Sequence, residues 1–212
     1  VWIVKPEDGS QGDGIFLVDR FRNLEIKASH CKNAVVQKYV LWRSLLLGGL
    51  KFDFRVYAIV VGLTAYSSTM RVFLCKEQGL GRFCTSKYEA PDSKNLANAQ
   101  KHLTNYSIQK RQEGYVREGE VKDDEFWTQL QEMVSQWVTA IEPVLIASYR
   151  PFDVLARSLS PDQETDTNST VVSPPTLHSC PCFQVLGFDV LLDTEMRPHL
   201  LEVNNSPSLS ID

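Results

Sequence analysis

Phe183-Gln184-Val185-Leu186-Gly187-Phe188-Asp189-Val190-Leu191-Leu192, then Asp193 to Pro198, then His199-Leu200-Leu201-Glu202-Val203-Asn204, is the stretch that decides the fold. Two apolar runs flank a short polar segment. That pattern predicts two antiparallel strands with a turn centred near Glu195 and Met196. With Leu192 set opposite His199, Asp189 falls across from Glu202 and Gly187 across from Asn204. Alternation then puts Asp189, Glu202 and Asn204 on one face, and Phe188, Val190, Leu201 and Val203 on the other. Opposed side chains lie ~5 Å apart, so the two carboxylates repel. A hard divalent cation such as Mg2+, which takes carboxylate and phosphate oxygens, removes that conflict. Asn204 adds a neutral oxygen, and Gly187 leaves room for a bulky ligand. A solvated charged face is the competing reading. The strands are otherwise so apolar that the metal reading is preferred.

Working outward, residues 1–4, 15–18, 35–40 and 51–61 read as strands, with 70–75 as the antiparallel neighbour of 51–61. Pro91 to His102 suggests a short helix with Ser93 as its N-cap. A longer helix begins near Asp123-Asp124-Glu125, acids that suit the positive end of a helix dipole. Phe126, Leu130, Met133, Val134, Trp137, Val138 and Ile141 form its buried stripe, and Pro143 is expected to break or kink it. Residues 157–180 turn to Ser, Thr, Pro and Asp and read as a poorly ordered surface insertion. Few helices and short connections argue an α+β fold with a largely antiparallel sheet.

Composition narrows the function classes. The 212 residues are 43% hydrophobic and 23% charged, enough for one sizeable core. Lys+Arg is 22 against 26 Asp+Glu, a net charge of −4. That balance supports neither broad nucleic-acid nor anionic-membrane binding, while leaving room for a local cationic cleft. Apolar runs such as Ala58 to Val61 fall far short of the ~18 residues a spanning helix needs. Five scattered cysteines, an odd number, argue against a disulfide scaffold and for reduced thiols in a cytosolic chain. Cys180-Pro-Cys182 is better read as two ordinary thiols than as a zinc knuckle. Val1-Trp2-Ile3-Val4 begins like a strand already under way, so a piece of a longer protein is expected.

Two further constellations carry possible chemistry. In Lys51-Phe52-Asp53-Phe54-Arg55-Val56-Tyr57, Lys51, Asp53 and Arg55 share one face and the aromatics the other. The charged face suits plain solvent or a phosphate cleft equally, with Asp53 holding the cations in place. Lys5 to Gly14 is a Gly-rich tip between two strands, whose free N–H groups can fold over phosphates. An ordinary hairpin is the commoner meaning of such a tip. It is neither a Walker A loop nor a dinucleotide fingerprint. Gln37-Lys38-Tyr39-Val40, Arg82 in Gly79-Leu80-Gly81-Arg82-Phe83, and His102-Leu103-Thr104-Asn105-Tyr106 are informative only in company.

Taken in order, WIVKP…GSQGDGIFLV, VVQKYV, LKFDFRVY, GRFCTSKYEAP, HLTNYSI and CFQVLGFDVLLD…LLEVNNSPS resemble the tubulin–tyrosine-ligase-like family. They span nearly the whole chain outside residues 157–180. The resemblance implies an ATP-grasp fold, of which residues 1–212 are the central and carboxy-terminal parts, without the amino-terminal lobe. It implies ATP and Mg2+ as cofactors. Lys5 would contact phosphates, with Ser10, Gln11, Gly12 and Gly14 in the loop covering them. Gln37, Lys38, Tyr39 and Val40 would line the adenine pocket. Lys51, Asp53, Arg55 and Arg82 would serve the γ-phosphate and the reacting carboxylate, and Thr104 and Asn105 would approach the nucleotide and the reaction centre. Asp189, Glu202 and Asn204 would hold the metal. Many members have Arg where this chain has Asp13, which is therefore left out of the site.

The glutamylating branch is the most similar. The implied reaction joins free glutamate to glutamate side chains of tubulin tails through an acyl phosphate. The implied partners are tubulin or the microtubule and free glutamate, with no nucleic acid and no membrane. A monomer is expected, in the cytoplasm and on the cytoskeleton, a cilium or basal body included. An inactive nucleotide-binding scaffold, or a ligase taking glycine or tyrosine, are the alternatives. A protein kinase is disfavoured, because there is no His-Arg-Asp loop and Phe188-Asp189 is followed by valine.

Overall fold

The structure, a computed structural model, describes residues 1–7, 12–20, 22–24, 33–39, 46–61, 71–105, 124–158 and 183–209. The strands are β1 (Trp2–Pro6), β2 (Phe16–Val18), β3 (Ala34–Lys38), β4 (Leu46–Leu47), β5 (Leu50–Val61), β6 (Arg71–Lys87), β7 (Phe183–Leu192) and β8 (Pro198–Asn204). The helices are α1 (Ala99–His102) and α2 (Asp124–Ser158). A small sheet has the order β2-β1-β3, and a larger one runs β4-β5-β7-β8 with β6 paired to β5. Every pairing among the described residues is antiparallel. The expected α+β class with antiparallel sheets therefore holds.

Period-2 patterning builds the core. Phe52, Phe54, Val56, Ala58 and Val60 of β5 and Leu186, Phe188, Val190 and Leu192 of β7 turn one face inward. Phe126, Leu130 and Val134 of α2 fill that face, with Trp137 edge-on to Phe188 at 5.2 Å between centroids. Burying each of these large side chains contributes about 1.5–3 kcal/mol, so α2 is held mainly by its sheet.

Four local expectations are corrected. α2 does not stop at Pro143 but continues to Ser158. A proline inside a helix costs about 3 kcal/mol, and the buried first half of α2 outweighs that. The change of character expected at Arg157 falls within the last turn of α2, and residues 159–182 lie outside the described residues. Residues 91–102 are not one helix capped by Ser93. Asp92 caps a turn instead, its Oδ1 accepting the Lys94 and Asn95 N–H groups at 2.8 and 3.0 Å. α1 follows, with Asn98 Oδ1 accepting the Lys101 N–H at 3.3 Å. The strand expected over 70–75 runs on to Lys87, because a register shift between Arg55 and Tyr57 absorbs the glycine-bearing stretch of β6. That extension places Arg82 directly opposite Asp53.

The β7–β8 hairpin pairs as expected where it matters. Asp189 faces Glu202 and Gly187 faces Asn204. Nearer the turn the register differs by one, with Leu191 opposite His199 and Leu192 opposite Pro198. Leu201 is the bulged residue that reconciles the two halves, so it does not join the core face assigned to it. The turn closes with Met196 at φ 62° and with the buried Asp193 carboxylate accepting the Glu195 and Arg197 N–H groups at 2.9 and 3.0 Å.

Candidate active site

The odd-numbered residues of β5 point away from α2. Lys51, Asp53, Arg55 and Tyr57 thus form a polar face on a strand whose even residues are core. Arg55 places Nε and Nη2 on the two oxygens of Asp189 at 2.7 and 2.8 Å. Arg82 grips Asp53 in the same forked way at 2.7 and 2.8 Å. Its Nη2 also lies 2.9 Å from Asp189 Oδ2. Thr104 Oγ1 donates to Asp53 Oδ2 at 2.5 Å. The result is a buried chain, Arg55–Asp189–Arg82–Asp53–Thr104. Burial pushes the Asp189 carboxyl up, but hydrogen bonds and charge from Arg55 and Arg82 overcome it and hold the group below its ordinary range. Burial pulls Arg82 down, and Asp53 and Asp189 more than reverse that.

This chain answers the electrostatic problem posed by the hairpin. The Asp189 charge is already offset by two guanidinium groups. Glu202 has Lys5, whose Nζ lies 3.3 Å from Oε2 and donates to Leu201 O at 3.3 Å. Charge balance between the opposed carboxylates therefore does not by itself require a metal, contrary to expectation. Among the described residues no group of three or more His, Cys, Asp or Glu side chains could hold a metal ion. The chemistry of the donors still fits magnesium. Glu202, 37% exposed, and Asn204 carry hard oxygens beside Asp189, with Asn204 Nδ2 3.4 Å from Asp189 Oδ2. Asp189 could join them only by sharing an oxygen with its arginines.

Gly187 does not leave space for a ligand. A Cβ there would meet Pro207 Cβ at 2.8 Å and Arg55 Cδ at 3.6 Å, so its missing side chain admits the chain's own Pro207.

Lys51 has no carboxylate in hydrogen-bond reach among the described residues. Its Nζ donates to Tyr39 Oη at 2.8 Å and to His102 O at 2.9 Å, and sits 4.3 Å from the Tyr39 ring centroid. Burial pushes its ammonium down to about 8, against smaller opposing effects of Cys84 and Asp53. This has two consequences of opposite sign. The unfolded chain keeps the Lys51 proton up to its ordinary value of 10.5, so the Lys51 contribution to stability rises with pH from about 8 to that value. Binding of a phosphate ligand should instead weaken as pH rises through about 8. Titration of nucleotide affinity against pH checks this, and Lys51→Met should flatten the profile.

A half-open cavity joins these groups. Of the expected residues, Lys5, Gln37, Lys38, Tyr39, Lys51, Asp53, Arg82, Thr104, Asn105, Asp189 and Glu202 line it. Arg55 does not; its guanidinium is spent on Asp189, which makes it a support rather than a contact. Asn204 does not line the cavity either, its Nδ2 lying 3.4 Å from Asp189 Oδ2. Gly12, at φ +84°, comes so close to Asn105 that a Cβ on it would lie 2.8 Å from Asn105 Cγ. Gly14 approaches the Pro6 ring instead. Ser10, Gln11 and Val40 lie outside the described residues. Sequence reasoning missed the apolar lining: Ile3, Ile15, Leu103, Leu191 and Leu201, besides His102. Ile3 and Leu191 stand two residues from Lys5 and Asp189, so strand alternation could have found them. Leu201 could not be found that way, because the bulge turns it.

The profile of the tubulin-tyrosine ligase family matches residues 1–212. Human tubulin polyglutamylase TTLL13 is 33% identical over 231 residues, which cover 100% of this chain and 25% of that protein. Tubulin polyglutamylase ttll-11 of Caenorhabditis elegans is 34% identical over 223 residues, covering 100% and 29%. Tubulin polyglutamylase ttll6 of Danio rerio is 30% identical over 229 residues, covering 100% and 26%. The chain thus spans about a quarter of the length of the curated relatives it matches.

Proposed function

The chain belongs to the tubulin-tyrosine ligase family, and from that premise we propose that it is the nucleotide- and cation-holding part of an ATP-dependent ligase of ATP-grasp type, adding glutamate to glutamate side chains of tubulin tails. The observation that carries this reading is the convergence of Lys5, Lys51 and Arg82 on one cavity that Glu202 also lines, beside Lys5. Lys51 has no carboxylate in hydrogen-bond reach among the described residues and Lys5 has one half-exposed partner, so both offer charge to a polyanion, and Arg82 adds its own beside the carboxylates it holds. The names of the relatives favour glutamate as donor over glycine or tyrosine, and tubulin as acceptor.

The chemistry needs such a site. A carboxylate acylates an amine poorly, because its oxygen is a poor leaving group. Attack of the acceptor carboxylate oxygen on the ATP γ-phosphorus forms an acyl phosphate and releases ADP. The α-amine of free glutamate then attacks the acyl carbon; the amide bond forms, phosphate leaves and the amine loses its proton. Lys5, Lys51 and Arg82 stabilise negative charge on the transferring group. Gln37, Lys38 and Tyr39 bound the base end, and Thr104 with Asn105 borders the reacting end. Arg55 and Asp53 keep Asp189 and Arg82 in place. Glu202 and Asn204, with Asp189, would hold Mg2+, which would supply charge neutralisation at the phosphates. Binding of an acidic, flexible tail to cationic side chains would be salt-sensitive. Such an acceptor puts the protein on cytoplasmic microtubules, those of cilia and basal bodies included.

The test is the full-length protein with ATP, Mg2+, tubulin and labelled amino acids. Glutamate should enter tubulin with matching ADP release. Incorporation of glycine or tyrosine instead would correct the donor. ATP binding without any incorporation would favour the scaffold alternative and end the ligase reading.

A further inference from the structure

Tyr57 shares the polar face of β5 with Lys51, Asp53 and Arg55, yet it has no part in the reaction just described. It stands in a row across three strands, opposite Gly187 on β7, which is opposite Asn204 on β8. Gly187 leaves a gap in that row, and Pro207 fills it. The chain after Asn204 therefore folds back over β7, and three contacts hold it there. Gln184 Nε2 donates to Asn205 O, Pro207 seats on Gly187, and Tyr57 Oη donates to Ser208 O at 3.0 Å.

What this return segment holds follows from the sheet order. Among the described residues β8 pairs with β7 alone, and the bulge at Leu201 interrupts that ladder. A strand bonded from one side frays from its end. Glu202 and Asn204 are at that end. The Asn204 amide makes only long contacts, 3.5 Å to Gly187 O and 3.4 Å to Asp189 Oδ2. The ladder alone is thus a weak restraint on Glu202, which lines the cavity, and on Asn204 two residues beyond it.

We propose that Tyr57 is a positioning residue for the cation-holding end of β8. Its hydroxyl fixes the Ser208 carbonyl, clamps residues 205–209 over Gly187, and keeps Asn204 beside Asp189 and Glu202 beside Lys5. The inference rests on the reading of Glu202 and Asn204 as cation ligands.

Tyr57→Phe in the full-length protein keeps the ring and deletes the hydroxyl. The Mg2+ concentration that half-saturates nucleotide binding should rise about tenfold, as for other supports of metal ligands. Nucleotide binding without metal should be unchanged, and amide hydrogen exchange over 202–209 should quicken. Gly187→Ala, which dislodges Pro207 from the other side, should reproduce both changes. An unchanged Mg2+ dependence in Tyr57→Phe overturns the proposal whatever the exchange rates do. If the wild-type protein shows no Mg2+-dependent nucleotide binding, the ligase reading fails separately. Exchange over 202–209 then decides the clamp: faster in Tyr57→Phe supports it, unchanged overturns it.

Discussion

Arg82→Ala should lower folding stability by about 3–5 kcal/mol at neutral pH, because it leaves two buried carboxylates without their shared partner. The arginine is 6% exposed, and both acids beside it are 3% exposed. Asp189 keeps Arg55, while Asp53 keeps only the Thr104 hydroxyl among the bonds described. The sign of the pH dependence follows from Asp189. Its folded value lies below its unfolded one, so its contribution is complete above the ordinary carboxylate range. It is lost as pH falls through the depressed value. The variant lacks much of that depression, so the gap between the two proteins should narrow on acidification. Denaturant titrations at neutral pH and at a pH below the ordinary carboxylate range measure both quantities. A variant as stable as the wild type at neutral pH would show that Arg82 is free for catalysis alone. The family resemblance implies that Arg82 serves the γ-phosphate and the reacting carboxylate. With its guanidinium bridging Asp53 and Asp189, fold and chemistry fail together. Arg82→Lys, which keeps charge but cannot fork, separates the two: stability should recover in part while ligation stays low.

Glu202→Gln should behave in the opposite way. Its carboxylate is 37% exposed and pairs with a 20% exposed lysine at 3.3 Å, a contact worth about 0–1 kcal/mol. Stability should hardly change. Ligation should fall by more than about a hundredfold, since the variant keeps the shape and loses the anionic oxygen a hard cation needs. Initial rates of glutamate incorporation, taken with a melting curve, check the pair of expectations. Wild-type rates in Glu202→Gln would remove the cation assignment. The two variants thus divide the site into a buried ionic frame built by Arg82 and an exposed oxygen rim built by Glu202.

That division explains what was readable in advance. The facing of Asp189 and Glu202 was legible because the apolar residues of both strands fix which side chains turn inward, and parity then places the rest. The bulge at Leu201 was not, because one extra residue in an apolar run leaves no local mark. The shared face of Lys51, Asp53 and Arg55 was legible for the same reason of parity. Their partners were not, since Arg82 and Thr104 reach Asp53 only through pairings 29 and 51 residues away. Gly187 misled because a missing side chain marks a close approach without saying what approaches. Of the break or kink expected at Pro143, the break does not occur, because the local cost was weighed without the packed face of α2 that outweighs it.

Alternation and the order of short polar motifs were enough to name the α+β class, the family, and most of the polar side chains that line the cavity, because period and residue chemistry are local properties of the chain. Only the folded sheet decided which charges neutralise one another, which arginine supports and which lines the cavity, and what fills the space above Gly187. Those are settled by contacts between strands far apart in sequence, where a carboxylate takes whichever cation the register delivers within reach.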